Sequence, residues 1–217
     1  MTDAASAARD QPLIAIDVVP VSFTTAHGLR VATARRPYAP FAGREALPGV
    51  LLDAAERLVD GAGRALRTKT GIEAAAVRHL AQVGAFDGPS RDPRDAAISI
   101  AFIAVVTPGV DAPPTVWRPV DGAEPGLPFD HDTIVRTAVD QVRTRLWRDV
   151  PLTRALLGEL FPTSAAAQLH TALHGSAPDA GNLNRSLRTN PALVRAEASS
   201  AATTRGGRPP ATWTWVD

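Results

Sequence analysis

Hydrophobic and polar positions along the chain switch between two periods. Residues 13–23, LIAIDVVPVSF, are mostly apolar and rich in β-branched side chains, which predicts a buried strand. Pro20 inside this run has no amide to donate and would need a sheet edge or a bulge. His27 and Gly28 make a turn, and residues 29–35 return as a second strand. After a loop punctuated by proline and glycine, Leu51, Ala54, Ala55, Leu58, Ala62, Ala65 and Leu66 recur at helical spacing. They predict a helix with one apolar face that stops at Gly71. Residues 74–86 predict one or two strands, 97–106 the most apolar strand, and 113–120 a short strand around Trp117. Helical spacing returns over 133–147, where Ile134, Ala138, Val142 and Leu146 share a face and Asp130 or Asp132 supplies an N-cap.

Beyond Pro151 the elements shorten. Residues 152–160 predict a short helix, and 164–174 a second, capped by Thr163 and stopped by Gly175. Residues 178–188 predict a third, and 193–197 and 211–216 two strands around the small, polar segment SSAATTRGGRPP. Three short helices followed by a glycine-tipped hairpin spell a winged helix-turn-helix. The expected organisation is a mobile tail over 1–11, an α/β domain over 12–148 and the winged helix over 149–217.

Composition then removes several classes. The chain has 217 residues, 45% of them hydrophobic and 21% charged, the balance of a water-soluble globular protein. A net charge of +1 excludes an overt polyanion binder, so any contact with nucleic acid must come from local placement of arginines. Without cysteine there is no disulfide frame and no thiolate metal site. His170 and His174, one helical turn apart, could chelate an ion, but no third ligand is evident beside them. The first ten residues lack the pattern of a signal peptide, and no apolar run reaches the roughly 18 residues of a membrane span. The expectation is a cytoplasmic protein with no membrane partner.

Aligned on Gly71 and Ile72, the stretch ALPGVLLDAAERLVDGAGRALRTKTGI resembles a worn-down Nudix box. That box is the loop-helix-loop of enzymes that split nucleoside diphosphates linked to another moiety. Its first glutamate falls on Glu56 and its arginine on Arg64. Its opening glycine falls on Val50, its next glutamate on Ala65, and its final glutamate pair on Thr68 and Lys69, the only lysine in the chain. Hard divalent cations need oxygen ligands, mostly carboxylates. Ala65 has none, Thr68 offers a neutral hydroxyl, and Lys69 brings a positive charge. The resemblance therefore implies no catalytic residue, no metal and no enzymatic turnover. The competing reading is a Nudix hydrolase acting on ADP-ribose or another nucleoside diphosphate derivative.

A longer pattern resembles the NrtR-type Nudix-related regulators of NAD synthesis and sugar-utilisation genes. It comprises GAFDGPSRDPR, with Arg91, Asp92, Pro93 and Arg94, followed by the apolar strand 97–106, then Phe129-Asp130-His131-Asp132. It continues through Asn182, Leu183, Arg185 and Leu187, and through Gly207-Arg208-Pro209 before the last strand. It departs at Asn184 and Ser186, where basic residues are usual. The implied fold is an α/β (α+β) Nudix-like α/β/α sandwich with a mixed sheet, followed by the winged helix. The implied function is a transcriptional regulator, a repressor, that binds double-stranded operator DNA as a homodimer. Its effector would be a nucleotide such as ADP-ribose, with no other cofactor. Arg36, Arg64, Lys69, Phe86 and Arg91 are the ligand-site candidates. Arg35 and Arg36 could face a phosphate or stay solvated loop arginines, and Arg91 or Arg94 could face an anion, unless they close an internal salt bridge. His131 is read as a packed or exposed residue at the helix start. Asn182, Asn184 and Arg185 would face base edges, with Arg188, Arg205 and Arg208 on phosphate or in the minor groove.

Overall fold

The computed structural model describes residues 11–88, 91–110, 113–120, 126–196 and 211–216. In chain order the elements are β1 (Leu13–Thr24), β2 (Gly28–Arg35), β3 (Glu45–Ala46), β4 (Gly49–Leu51), α1 (Leu58–Thr70), β5 (Val77–Phe86), β6 (Ala97–Val106) and β7 (Thr115–Pro119). They continue with α2 (His131–Arg145), α3 (Val150–Leu157), β8 (Leu160–Pro162), α4 (Thr163–His174), α5 (Ala180–Thr189), β9 (Leu193–Arg195) and β10 (Thr212–Trp215). The predicted tail, except residue 11, and the predicted wing tip with Arg205 and Arg208 lie outside the described residues.

The larger sheet runs β3-β2-β1-β6-β5, with β4 also on β1 and β7 on β2. β1 and β6 are parallel; the other pairs are antiparallel, so the sheet is mixed. Side chains of a strand alternate between faces. Ile16 and Val18 of β1 and Phe102, Ala104 and Val106 of β6 pack against Ala62, Ala65 and Leu66 of α1. Val19, Val21, Ala101, Ile103 and Val105 face the other way, onto Ile134, Ala138 and Val142 of α2 and Leu152 and Leu156 of α3. The result is helix, sheet, helix, the layering that the resemblance implied.

Pro20 is tolerated for a different reason from the one expected. β1 is an inner strand, not an edge. Its even-numbered amides face β4 and β2: the Val18 amide reaches Pro48 O at 2.9 Å. β4 pairs with residues 15–17 and β2 with residues 21–24, leaving a gap between them. The amide that Pro20 lacks falls in that gap.

The first helix is shorter than its apolar spacing suggested. Residues 49–51 are drawn into pairing with β1. Glu56 then closes a turn, its amide donating to Asp53 O at 3.0 Å and its carboxylate accepting the Asp53 amide at 3.2 Å. Sheet pairing and this local turn outcompete helix over 51–57. The far end is as predicted: Gly71 takes the left-handed conformation at φ 69° and returns its amide to Arg67 O.

The C-terminal helices add a strand that periodicity did not show. β8 joins β10 and β9 in an antiparallel three-stranded sheet of order β8-β10-β9. Trp213 and Trp215 of β10 are buried, and their indole N–H groups donate to Thr163 Oγ1 and Gly158 O. Thr163 is thereby committed to β10, also donating to Ala211 O at 3.2 Å, and does not cap α4. Packing crosses the expected boundary at 148 and 149. One apolar core runs from the sheet face through α3 and α4 to Leu187 and Trp215.

Candidate functional site

A cleft of about 600 Å³ opens where the beginning of β1, β4, the C-terminal end of α1, the loop after β2 and the 91–94 segment meet. Its floor is a buried charge network. Asp17 interrupts the apolar run of β1 and lies on its α2 side, only 5% exposed. Its Oδ2 accepts from Arg91 Nη2 at 2.7 Å and from Ser99 Oγ at 2.7 Å. Its Oδ1 lies 3.5 Å from His131 Nε2. The Leu47 amide donates to His131 Nδ1 at 3.0 Å, so the ring proton faces Asp17. Burial by itself would raise the Asp17 carboxyl; His131, Arg91 and Ser99 together outweigh it and hold the group well below the usual aspartate range. Gly49 belongs to this arrangement, because a Cβ there would sit inside contact distance of Asp17 Oδ1.

Arg91 therefore closes an internal bridge while still lining the cleft. Its Nε is 3.2 Å from Asp130 Oδ1. Asp130 stands at the N-cap position of α2, but its side chain makes no capping bond. Burial raises its carboxyl, with Arg91 and His131 opposing. Phe129 and Asp130 both take positive φ, 65° and 75°. Such conformations cost about 1–3 kcal/mol each and persist where surroundings over-determine them. Here they turn the Phe129 ring into the cleft and Asp130 toward Arg91.

The upper wall is cationic and aromatic. Phe41 meets Phe129 edge-on at 5.0 Å, the Arg36 guanidinium lies 4.6 Å from the Phe129 centroid, and that of Arg94 lies 5.8 Å from it. Arg36 Nε donates to Pro40 O at 2.9 Å. Burial first, then the neighbouring Arg94 charge, push the Arg36 pKa below the ordinary arginine value. Asp92 grips Arg94 through two bonds of 2.9 and 2.6 Å, which lowers the Asp92 carboxyl.

Arg64 of α1 pairs with Glu56, in the turn before the helix, at 2.7 and 2.6 Å. These bonds bring Glu56 down to about 2. Arg64 also donates to Leu51 O and does not line the cleft. Ala65 is fully buried against the sheet. Thr68 and Lys69 line the cleft, with the Thr68 hydroxyl donating to Arg64 O at 2.7 Å. The donor set does not fit the divalent ion used by Nudix enzymes. One box position is apolar and buried, one is a committed hydroxyl, one is a cation, and Glu56 is held by Arg64. Among the described residues no group of three or more His, Cys, Asp or Glu is placed to hold a metal ion.

Of the five ligand-site candidates, Arg36, Lys69 and Arg91 line the cleft. Arg64 does not, because Glu56 takes it. Phe86 does not either: it ends β5 and packs, partly buried, against the core. Phe129 provides the aromatic surface instead. Arg94, the alternative to Arg91 for facing an anion, also lines the cleft, whereas Asp17 and Phe129 are not among the candidates. A carboxylate inside an apolar strand was the available signal for Asp17.

The other candidate surface is α5. Asp179 caps it, accepting the Asn182 amide at 2.8 Å. Leu183 and Leu187 are its buried residues. Asn182, Arg185 and Arg188 are exposed, while Asn184 is half-buried and donates to Ala180 O.

No protein-family model matches the sequence. An ADP-ribose pyrophosphatase of Methanocaldococcus jannaschii is 31% identical over 112 residues, which span 49% of this chain and 64% of that protein. The chain thus matches less than two thirds of that relative's length. NrtR of Shewanella oneidensis, solved with a 27-mer DNA, superposes with a TM-score of 0.72 at 19% identity, covering 94% of this chain and 93% of that one. The NUDIX domain of the same protein, solved with ADP ribose, gives 0.53 at 24% identity over 61% of this chain and 89% of that one. The mixed sheet between α1 and the α2–α3 pair is a Nudix-like α/β fold. Across nearly its whole length the chain has the NrtR-type, Nudix-related fold.

Proposed function

We propose that this protein is a transcriptional regulator that binds operator DNA and senses ADP-ribose or a related nucleotide without hydrolysing it. The observation that carries this reading is a cation-lined cleft and an outward-facing Asn/Arg helix built on one apolar core. α3, α4, α5 and the β8-β10-β9 sheet form the winged helix-turn-helix, with α5 as the recognition helix in the major groove. Support comes from the NrtR structures, one solved with DNA and one with ADP ribose. The protein acts in the cytoplasm as a homodimeric repressor of NAD-synthesis or related genes. A dimer would read a pseudo-palindrome with half-sites about one helical turn, roughly 34 Å, apart.

α2 gives the two sites a mechanical link. Its first residue, His131, belongs to the cleft floor, and near its far end Arg143 donates to Leu173 O at the end of α4. A ligand that favours one placement of α2 would shift the placement of α5, since only differential affinity for two arrangements moves the equilibrium.

The test is a gel shift on the gene's own upstream DNA, titrated with ADP-ribose, beside a turnover assay with Mg²⁺. The expected result is a sequence-selective shift that ADP-ribose alters and no measurable hydrolysis. The identity to the archaeal pyrophosphatase favours a second reading, a Nudix hydrolase. Metal-dependent cleavage at an enzymatic rate, about 1 per second or faster, would establish that reading and remove the first.

A further inference from the structure

We propose that the cleft binds a diphosphate-bearing anion with no divalent cation, the Lys69 ammonium taking over the charge that a metal supplies in Nudix enzymes. This rests on the reading of the cleft as a nucleotide site and adds how its charge is met.

Five cations line the cleft: Arg35, Arg36, Lys69, Arg91 and Arg94. Two carboxylates line it, Asp17 and Asp92, and each is already bonded to an arginine, Arg91 and Arg94 respectively. Among the described residues no hydrogen bond or ion pair engages the Lys69 side chain. The side-chain bond that Arg36 makes is to a carbonyl, and among the described residues no carboxylate forms an ion pair with it, although Asp92 and Asp17 act on it from further off. Arg36 and Arg94 also crowd onto one phenyl ring, and their mutual repulsion contributes to the lowered pKa of Arg36. An anion held there relieves that repulsion, whereas a divalent cation adds to it. Lys69 sits in the last turn of α1, whose carbonyl end carries partial negative charge. An anion beside that end needs a cation between, and a lysine is a compact charge with three donors.

The experiment is calorimetric titration of the full-length protein with ADP-ribose and, separately, with inorganic pyrophosphate, each in chelator and in Mg²⁺. Both probes are expected to bind in chelator, as tightly as in Mg²⁺ or more so. Lys69→Gln should weaken both by roughly ten-fold or more, the loss of a charge-assisted hydrogen bond. Lys69→Arg should keep most of the affinity. Thermal melting of each variant separates this loss from misfolding. Binding that requires Mg²⁺, binding unaffected by Lys69→Gln, or no binding of either probe in chelator overturns the inference. Of these, ADP-ribose binding in Mg²⁺ alone leaves the regulator reading standing. Pyrophosphate binding that depends on Lys69, with no ADP-ribose binding, supports the inference and overturns the ADP-ribose reading.

Discussion

α1 and α5 are both short amphipathic helices, yet they are set into the molecule in opposite ways. α1 buries Gly61, Ala62, Ala65, Leu66 and Thr70, and the glycine and alanines among them let it lie close on β1. A Cβ on Gly61 would already press on Ile16 and Leu52. Its remaining functional positions, Thr68 and Lys69, open into a concave cleft. α5 buries Leu183 and Leu187 and presents Asn182, Arg185 and Arg188 to solvent. A polar group in a cleft floored by buried charge suits a small anion. The same kind of group on a convex, exposed helix suits an extended partner. Residue type alone does not separate the two; the depth at which each helix is seated does.

The comparison can be broken most severely at the cleft floor. Arg91→Ala leaves the Asp17 carboxylate buried without its arginine, which should cost about 3–5 kcal/mol in urea unfolding. The pH dependence follows from the lowered Asp17 pKa. A depressed folded-state value gives stability that is present above the ordinary aspartate range and is lost as pH falls through the folded value. In Arg91→Ala the carboxyl rises, so the deficit against wild type should narrow on acidification. A deficit independent of pH would show that the bridge is not what holds the floor.

At α5 the corresponding weakness is apolar. Leu187→Ala removes a buried anchor and should cost about 2–5 kcal/mol, with no special pH dependence. Gly49→Ala should cost about 1–3 kcal/mol by forcing Asp17 and β4 apart, and should weaken nucleotide binding as well. Arg185→Ala sharpens the contrast with the smallest structural effect. Its unfolding free energy should stay within about 0.5 kcal/mol of wild type. Its operator affinity should fall by about 1–3 kcal/mol if the guanidinium makes a bidentate base contact. Equal loss of stability and of DNA binding would mean that α5 is a packing element, not a reading surface.

Much of this was legible beforehand. Continuous apolar runs marked β1 and β6 because parallel strands buried on both faces need them. The stripe Ile134, Ala138, Val142 and Leu146 marked α2 and is buried as drawn. The loss of box carboxylates could be read position by position. The site was legible only in part. Arg36 and Lys69 reach the cleft, while Arg64 is claimed by Glu56 eight residues earlier and Phe86 turns into the core. Phe129 was visible within a motif, but its positive φ, which aims the ring, was not.

The sequence by itself determined the periods, the turns, the non-carboxylate residues at positions 65, 68 and 69 and the two leucines that seat α5. These are local properties, set by spacing and side-chain chemistry. The tertiary structure decided where charge is cancelled and where it is left open. Asp17, Arg91, His131 and Ser99 meet from separate parts of the chain, and their pairing removes Arg91 from the free cations while leaving Lys69 among them. It also decided that α3 and α4 share one core with the sheet. Such outcomes depend on contacts between distant segments, which no spacing along the chain encodes.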